Sequence, residues 1–203
     1  MEIVLPLEGA HNVENALAAA TCARALGVTP EEVARGLAAL PVLPGRSEAV
    51  EAGQGFRVVV DYAHTPRAVE RVLAAARRAT AGHGRVIIVF GCGGDRDPTK
   101  RAPMGRAASS GADLVLVTSD NPRSEDPLAI IDQVCQGMEG GADVVVEPDR
   151  RSAIASAFQR AAPGDVVVIA GKGHETVQVT GGRVIPFDDR EVALDLLGQG
   201  ATS

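Results

Sequence analysis

Val86-Ile87-Ile88-Val89-Phe90-Gly91-Cys92-Gly93-Gly94-Asp95-Arg96-Asp97 decides the fold of this 203-residue chain. Five apolar residues run without interruption into a glycine-rich, charged loop. Such a run fits a strand buried on both faces, as in a parallel sheet covered by helices on each side. Similar runs recur in both directions. Upstream, Phe56-Arg57-Val58-Val59-Val60-Asp61 reads as a strand, and Thr65-Pro66 opens a helix to about Thr80. Downstream, Leu114-Val115-Leu116-Val117, residues 143–146 and Val166-Val167-Val168-Ile169 read as strands. Between them lie helices near residues 103–110, from Asp126-Pro127 through Met138, and over 149–161. This alternation predicts an α/β fold with a mostly parallel sheet flanked by helices. Residues 177–187, broken by Gly181-Gly182, read as a C-terminal β-hairpin extending that sheet, and Asp188 with Glu191 caps a last helix.

The first forty residues follow a different pattern. Val13, Ala16, Leu17, Ala20, Ala23 and Leu26 recur at three- and four-residue steps, a helical stripe that Gly27 ends. Thr29, Pro30 and Glu32 supply an N-cap, a first-turn proline and a capping-box acid for a second helix toward Leu40. Two such helices bury too little surface to stand as a domain. Pro41-Val42-Leu43-Pro44-Gly45 reads as a linker, so the expected division is a helical remnant over 1–44 and a complete domain over 45–203.

Composition narrows the function classes. Lys and Arg total 20 against 26 Asp and Glu, a net charge of −6, which argues against nucleic acid or an acidic membrane as partner. No apolar run approaches the ~18 residues of a membrane span, and the first residues have no basic, apolar leader pattern. Cys22, Cys92 and Cys135 are odd in number and lack a CxxC pair, so a reduced, cytoplasmic protein without a metal site of its own is expected. Cys92 reads as a small residue packing under its loop, and Cys22 and Cys135 as packing residues within helices. Two familiar signatures fail. Arg96 stands where a dinucleotide fingerprint needs its third glycine, and no GxxxxGK[ST] occurs, since Gly173 fills the hydroxyl position after Gly171-Lys172.

Ligands of open parallel sheets bind beyond the carboxyl ends of the strands. Four charged, glycine-containing loops follow the apolar runs there: Asp61-Tyr62-Ala63-His64-Thr65-Pro66, Gly91 to Arg101, Thr118-Ser119-Asp120-Asn121-Pro122-Arg123, and Ala170-Gly171-Lys172-Gly173-His174-Glu175. Their mixture of signs suits a small zwitterion or a phosphate-bearing ligand, whose charges each need a partner. Plainer readings stand beside this one. Asp120-Asn121-Pro122 fits simple turn chemistry, and Asp61 and Thr65 fit a helix start. His64 fits a local hydrogen bonder, and Glu147-Pro148-Asp149-Arg150-Arg151 fits a helix cap. The two glycines around Lys172 suggest close backbone approach to a ligand.

Taken in order, Asp61-Tyr62-Ala63-His64-Thr65-Pro66, Gly91-Cys92-Gly93-Gly94-Asp95-Arg96-Asp97, Asp120-Asn121-Pro122-Arg123 and Gly171-Lys172-Gly173-His174-Glu175 resemble the motifs of the Mur ligase family. Asn12-Val13-Glu14-Asn15 and Leu43-Pro44-Gly45-Arg46 resemble its motifs at the end of the central domain and at the domain junction. The resemblance implies a Rossmann-like C-terminal Mur ligase domain over 45–203, preceded over 1–44 by the end of the central ATP-binding domain. It implies a cytoplasmic enzyme of peptidoglycan synthesis that uses ATP and Mg²⁺. Such an enzyme, the resemblance implies, activates a carboxylate of a UDP-N-acetylmuramoyl dipeptide as an acyl phosphate, which an amine of meso-diaminopimelate then attacks. By resemblance, Arg96, Asp120, Asn121, Pro122, Arg123, Gly171 and Glu175 bind diaminopimelate, and Asn15, Arg46 and Asp61 surround ATP. The activating residues, the phosphate loop and the magnesium ligands are expected upstream, in the missing N-terminal and central domains, so this segment alone is expected to be inactive. Alternative readings are a non-catalytic amino-acid-binding module, a ligase that adds ornithine or lysine, and a relative that extends folyl tails.

Overall fold

The computed structural model describes residues 3–7, 10–40 and 43–200, with backbone alone at 10, 11, 199 and 200. The chain divides into two compact units, Met1–Leu43 and Pro44–Ser203. The first holds α1 (Ala10–Ala25) and α2 (Pro30–Ala38). Gly27 takes a φ of +88°, a left-handed turn that lets the Val28 N–H donate to Ala23 O at 3.1 Å and close α1. Thr29 caps α2. Its hydroxyl accepts from the Glu32 N–H at 3.3 Å, and Glu32 Oε2 accepts from the Thr29 N–H at 3.0 Å. Val33 and Leu37 of α2 are buried, whereas Val13 and Leu17 of α1 are exposed. Cys22, expected to pack, is exposed instead, because a two-helix unit covers only one side of α1. Pro41 and Val42 of the expected linker lie outside the described residues.

The second unit runs β1 (Glu48–Val50), β2 (Arg57–Asp61), α3 (Pro66–Ala79), β3 (Val86–Phe90), a 3₁₀ turn (Pro98–Lys100), α4 (Arg101–Gly111) and β4 (Leu114–Val117). It continues with α5 (Pro127–Cys135), β5 (Asp143–Val146), α6 (Arg150–Arg160), β6 (Val166–Ala170), β7 (Val177–Thr180), β8 (Arg183–Pro186) and α7 (Asp189–Gly200). Six strands form one sheet in the order β1-β2-β6-β3-β4-β5, with β1 antiparallel to β2 and every other pair parallel. The alternation read from the sequence is therefore the architecture of the sheet. The short edge strand β1 was not legible there.

Burial explains the apolar runs. Every residue of β3, β4 and β6 is buried, while the edge strand β5 is mostly exposed. Along β3 the side chains divide between two cores. Val86, Ile88 and Phe90 pack with Leu73 of α3, Met104 of α4 and Ile131 of α5, whereas Ile87 and Val89 pack with Ile154 of α6 and Ala193 of α7. Each fully buried large apolar side chain contributes about 1.5–3 kcal/mol. At the amino edge, Asp165 fastens the strand starts. Its Oδ1 accepts from the Arg85 N–H at 2.7 Å, and its backbone carbonyl accepts from the Arg57 N–H at 2.9 Å.

Two expectations need correction. Helix α5 stops at Cys135, short of Met138, because Gly137 passes so close to α4 that a Cβ there would meet Ala102 O at 1.8 Å. The hairpin β7-β8 does not extend the main sheet; it is a separate two-stranded sheet. Its β7 pairs instead with the loop after β4, where the Arg123 N–H donates to Val179 O at 2.9 Å and the Gly181 N–H to Arg123 O at 2.8 Å.

Candidate functional site

The loops after β3 and β4 are latched together. Arg101, at the start of α4 and 1% exposed, donates both terminal nitrogens to the Glu125 carboxylate at 2.8 and 2.9 Å, and one of them also to Gly93 O at 3.2 Å. Glu125 accepts in turn from the Asp95 N–H at 2.6 Å. The Asp95 carboxylate accepts from Ser124 Oγ and N–H at 2.7 and 3.3 Å. Asp95 and Arg123 both take left-handed backbone conformations, φ +53° and +54°, which cost a residue with a Cβ of order 1–3 kcal/mol and persist because neighbours hold them. The Arg123 guanidinium is aimed by a hydrogen bond from Nη1 to Gly94 O at 2.7 Å.

The loop after β6 is built around a fully buried lysine. Lys172 Nζ donates to Val177 O at 2.6 Å, with Asn121 Oδ1 at 3.4 Å and Glu175 Oε2 at 3.5 Å. Asn121 Nδ2 donates to the same Glu175 oxygen at 2.6 Å, and Asn121 Oδ1 accepts from the Val179 N–H at 2.9 Å. The flanking glycines answer to protein neighbours. A Cβ on Gly171 (φ +114°) would lie 2.7 Å from Asp120 Oδ2, and one on Gly173 (φ +54°) 2.6 Å from Tyr62 Cβ. The sequence suggests close approach to a ligand at these glycines; the neighbours that the fold sets against them are Asp120, Tyr62 and Gly45 of the chain itself.

These loops enclose a cleft of about 260 Å³ lined by Tyr62, His64, Gly91, Gly93, Arg96, Asp97, Lys100, Asp120, Arg123, Gly171 and Glu175. Three cations and three carboxylates therefore face one small space. Burial pushes the Asp120 carboxyl pKa up, and the charges of Arg150 and Lys172 pull it partly back. Cys92 is buried beside Met104, its thiol pushed up to about 12 chiefly by burial, which suits packing and not nucleophilic attack. A larger hollow of about 620 Å³, near Phe56, Phe158 and Leu197 at the amino edge, is lined by no charged side chain. The charged cleft is the better candidate, because recognition of a polar ligand needs charge partners.

At the end of β2, Asp61 Oδ2 accepts from Ser47 N–H and Oγ at 2.8 and 3.2 Å. The Arg46 guanidinium lies 4.9 Å from the centre of the Tyr62 ring, which His64 and His174 also flank. His64 Nδ1 meets Tyr62 O at 2.7 Å, the local bond its turn position suggests. Asn15 belongs to the other unit, exposed on α1. Arg96, Asp120, Arg123, Gly171 and Glu175 thus come together in the cleft. Asn121 and Pro122 do not line it: the Asn121 amide is engaged by Glu175, Val179 and Lys172, and both residues are buried in the wall.

Sequence reasoning missed Arg150, Gln178 and the Arg101–Glu125 latch. Gln178 Nε2 donates to Asp120 O at 2.8 Å. Arg150 was readable only as part of a helix cap, yet it is fully buried against Asp189. One signal existed. An arginine at the first residue of a helix opposes the helix dipole, so another contact must hold it there.

Fold and cleft together define a class: a Rossmann-like α/β domain presenting a small, polyionic cleft at the carboxyl edge of its sheet. Residues 45–173 match the family described as Mur ligase, glutamate ligase domain, and the chain belongs to that family. It is 53% identical over 194 residues to the UDP-N-acetylmuramoyl-L-alanyl-D-glutamate--2,6-diaminopimelate ligase of Solibacter usitatus, a match covering 95% of this chain and 39% of the relative. A solved structure of an enzyme with that name is 39% identical, with a TM-score of 0.75 over 99% of this chain and 41% of the other. A folylpolyglutamate synthase of Mycobacterium tuberculosis, solved with ADP and AMPPCP, is 26% identical, with a TM-score of 0.64 over 83% of this chain and 39% of its own. The chain spans about two fifths of the length of these relatives.

Proposed function

We propose that this chain is the amino-acid-binding portion of a ligase that joins meso-diaminopimelate to UDP-N-acetylmuramoyl-L-alanyl-D-glutamate with consumption of ATP. In this reading residues 45–203 form the C-terminal domain and 1–44 end the central, ATP-binding domain. One observation carries it: three cations and three carboxylates line one cleft, as a ligand with an amino-acid head at each end requires. Arg123 and Arg96 receive a carboxylate in the fork geometry that guanidinium favours. Glu175 and Asp120 receive ammonium groups, and Gly171 lets the wall close. Asn121 and Pro122 act one layer back, holding Glu175 and the loop. Among the described residues no group of three or more His, Cys, Asp or Glu is placed to hold a metal. Asp61 suits ribose hydroxyls and Arg46 suits phosphate charge, and with Asn15 they are assigned to the nucleotide.

The role of these residues is to place the attacking amine and exclude competing orientations, which is where positioning lowers a barrier most. Replacing Arg123 by Ala in the full-length protein tests the assignment. The KM for diaminopimelate is expected to rise about tenfold or more, the loss of a charge-assisted pair, while the KM for ATP stays within about twofold. An unchanged diaminopimelate KM would sink the reading.

A further inference from the structure

Arg150 and Asp189 are both fully buried, with Arg150 Nε 2.8 Å from Oδ1 and Nη2 2.7 Å from Oδ2. Taking two charges out of water is so unfavourable that an apolar pair of similar volume is often equally stable. Stability alone therefore gives little reason for this pair. Its remaining hydrogen bonds give another. Nη2 also donates to Ala170 O at 3.0 Å, and Nη1 to Ser119 O at 3.4 Å. Those carbonyls belong to the residues immediately before Gly171 and Asp120, both in the cleft wall. Ala170 ends β6 and Ser119 lies two residues beyond β4, and those strands are not neighbours, because β3 runs between them. No ladder bond joins their ends across that gap of about 10 Å. The guanidinium does.

Resting on the reading of the cleft as an amino-acid site, we propose that Arg150, gripped by Asp189, is a positioning residue. It holds Asp120 against Gly171 and keeps the Asp120 carboxylate charged to receive a substrate ammonium. The charges around Asp120 agree. Burial raises its pKa, Arg150 from α6 lowers it most, Lys172 lowers it next, and Glu175 and Asp189 raise it by less. Cys92, buried beside Met104, stays a neutral thiol. Removing Arg150 and Asp189 together takes away the larger lowering effect and a smaller raising one, so the Asp120 pKa is expected to rise.

The test uses the full-length protein carrying Arg150→Met with Asp189→Leu, which removes both charges at once, and separately Arg150→Lys. Two quantities are read: the titration midpoint of Asp120 by carboxyl carbon-13 resonance, which needs no substrate, and the KM for diaminopimelate against that for ATP across pH. In the double variant the midpoint is expected to move to higher pH. The diaminopimelate KM rises about tenfold, the acid limb of kcat/KM moves to higher pH, and the ATP KM stays within about twofold. Arg150→Lys, which keeps the charge and loses the fork, returns the midpoint but not the KM. Either quantity unmoved in a folded double variant overturns the proposal. Should that variant fail to fold, Arg150→Lys decides: a raised diaminopimelate KM supports the proposal and an unchanged one overturns it. If the unsubstituted protein does not turn over diaminopimelate, the functional reading fails, and the Asp120 titration alone decides the inference.

Discussion

Gly171 is the residue at which one methyl group should be felt most. Its φ of +114° disfavours any side chain, and a Cβ there would press to 2.7 Å from the Asp120 carboxylate. Gly171→Ala is therefore expected to cost about 1–3 kcal/mol of backbone strain. It also displaces Asp120, so use of diaminopimelate should fall more than the thermal unfolding temperature does; kinetics and calorimetry on one preparation check both. That Arg96 and Arg123 would stand at the carboxyl edge of the sheet, in one cleft, was legible because each lies in a charged loop that follows a buried strand. Lys172 and Asn121 were not separable from them. A buried lysine bonded to a backbone carbonyl and a ligand-facing lysine look alike in sequence, and only the 2.6 Å bond to Val177 O tells them apart.

At the scale of elements, Asp165 shows how one side chain sets strand register. Burial raises its pKa, but the N–H groups of Ala162 and Arg85 and the Arg85 guanidinium outweigh burial and leave it lowered. A carboxyl lowered in the folded state adds stability above its unfolded pKa of about 3.9, and that stability is lost as pH falls through the folded value. Asp165→Asn is expected to destabilise by about 1–3 kcal/mol at neutral pH, with the gap to the parent closing below about pH 4. Denaturant unfolding at the two pH values measures it. The buried strands were legible because unbroken apolar runs have a single comfortable environment. The destination of the hairpin was not, since β7 is recruited by the backbone of Arg123, and backbone groups carry no sequence signature. The end of α5 was hidden likewise, because Gly137 serves the backbone of Ala102 and not its own helix.

For the molecule as a whole, the net charge of −6 conceals a cleft in which the signs balance. That balance makes a prediction about ligand choice. Lysine lacks the second carboxylate of diaminopimelate and would leave a guanidinium of the cleft without its partner, a loss of about 1–3 kcal/mol. Its kcat/KM in the full-length protein should be lower by a factor of roughly 5 to 150, measured in competition. Equal use of the two amino acids would remove diaminopimelate as the assigned substrate. Among the described residues no helix is long and apolar enough to cross a membrane, in keeping with a sheet whose apolar residues are taken up by its own two helix layers. The stitching of Arg123 into β7 through both its N–H and its carbonyl has a consequence for capture. The loop that would meet a ligand has little freedom left to lose when the ligand arrives. Its ordering entropy is settled while the chain folds, and affinity is then governed by charge pairing and desolvation.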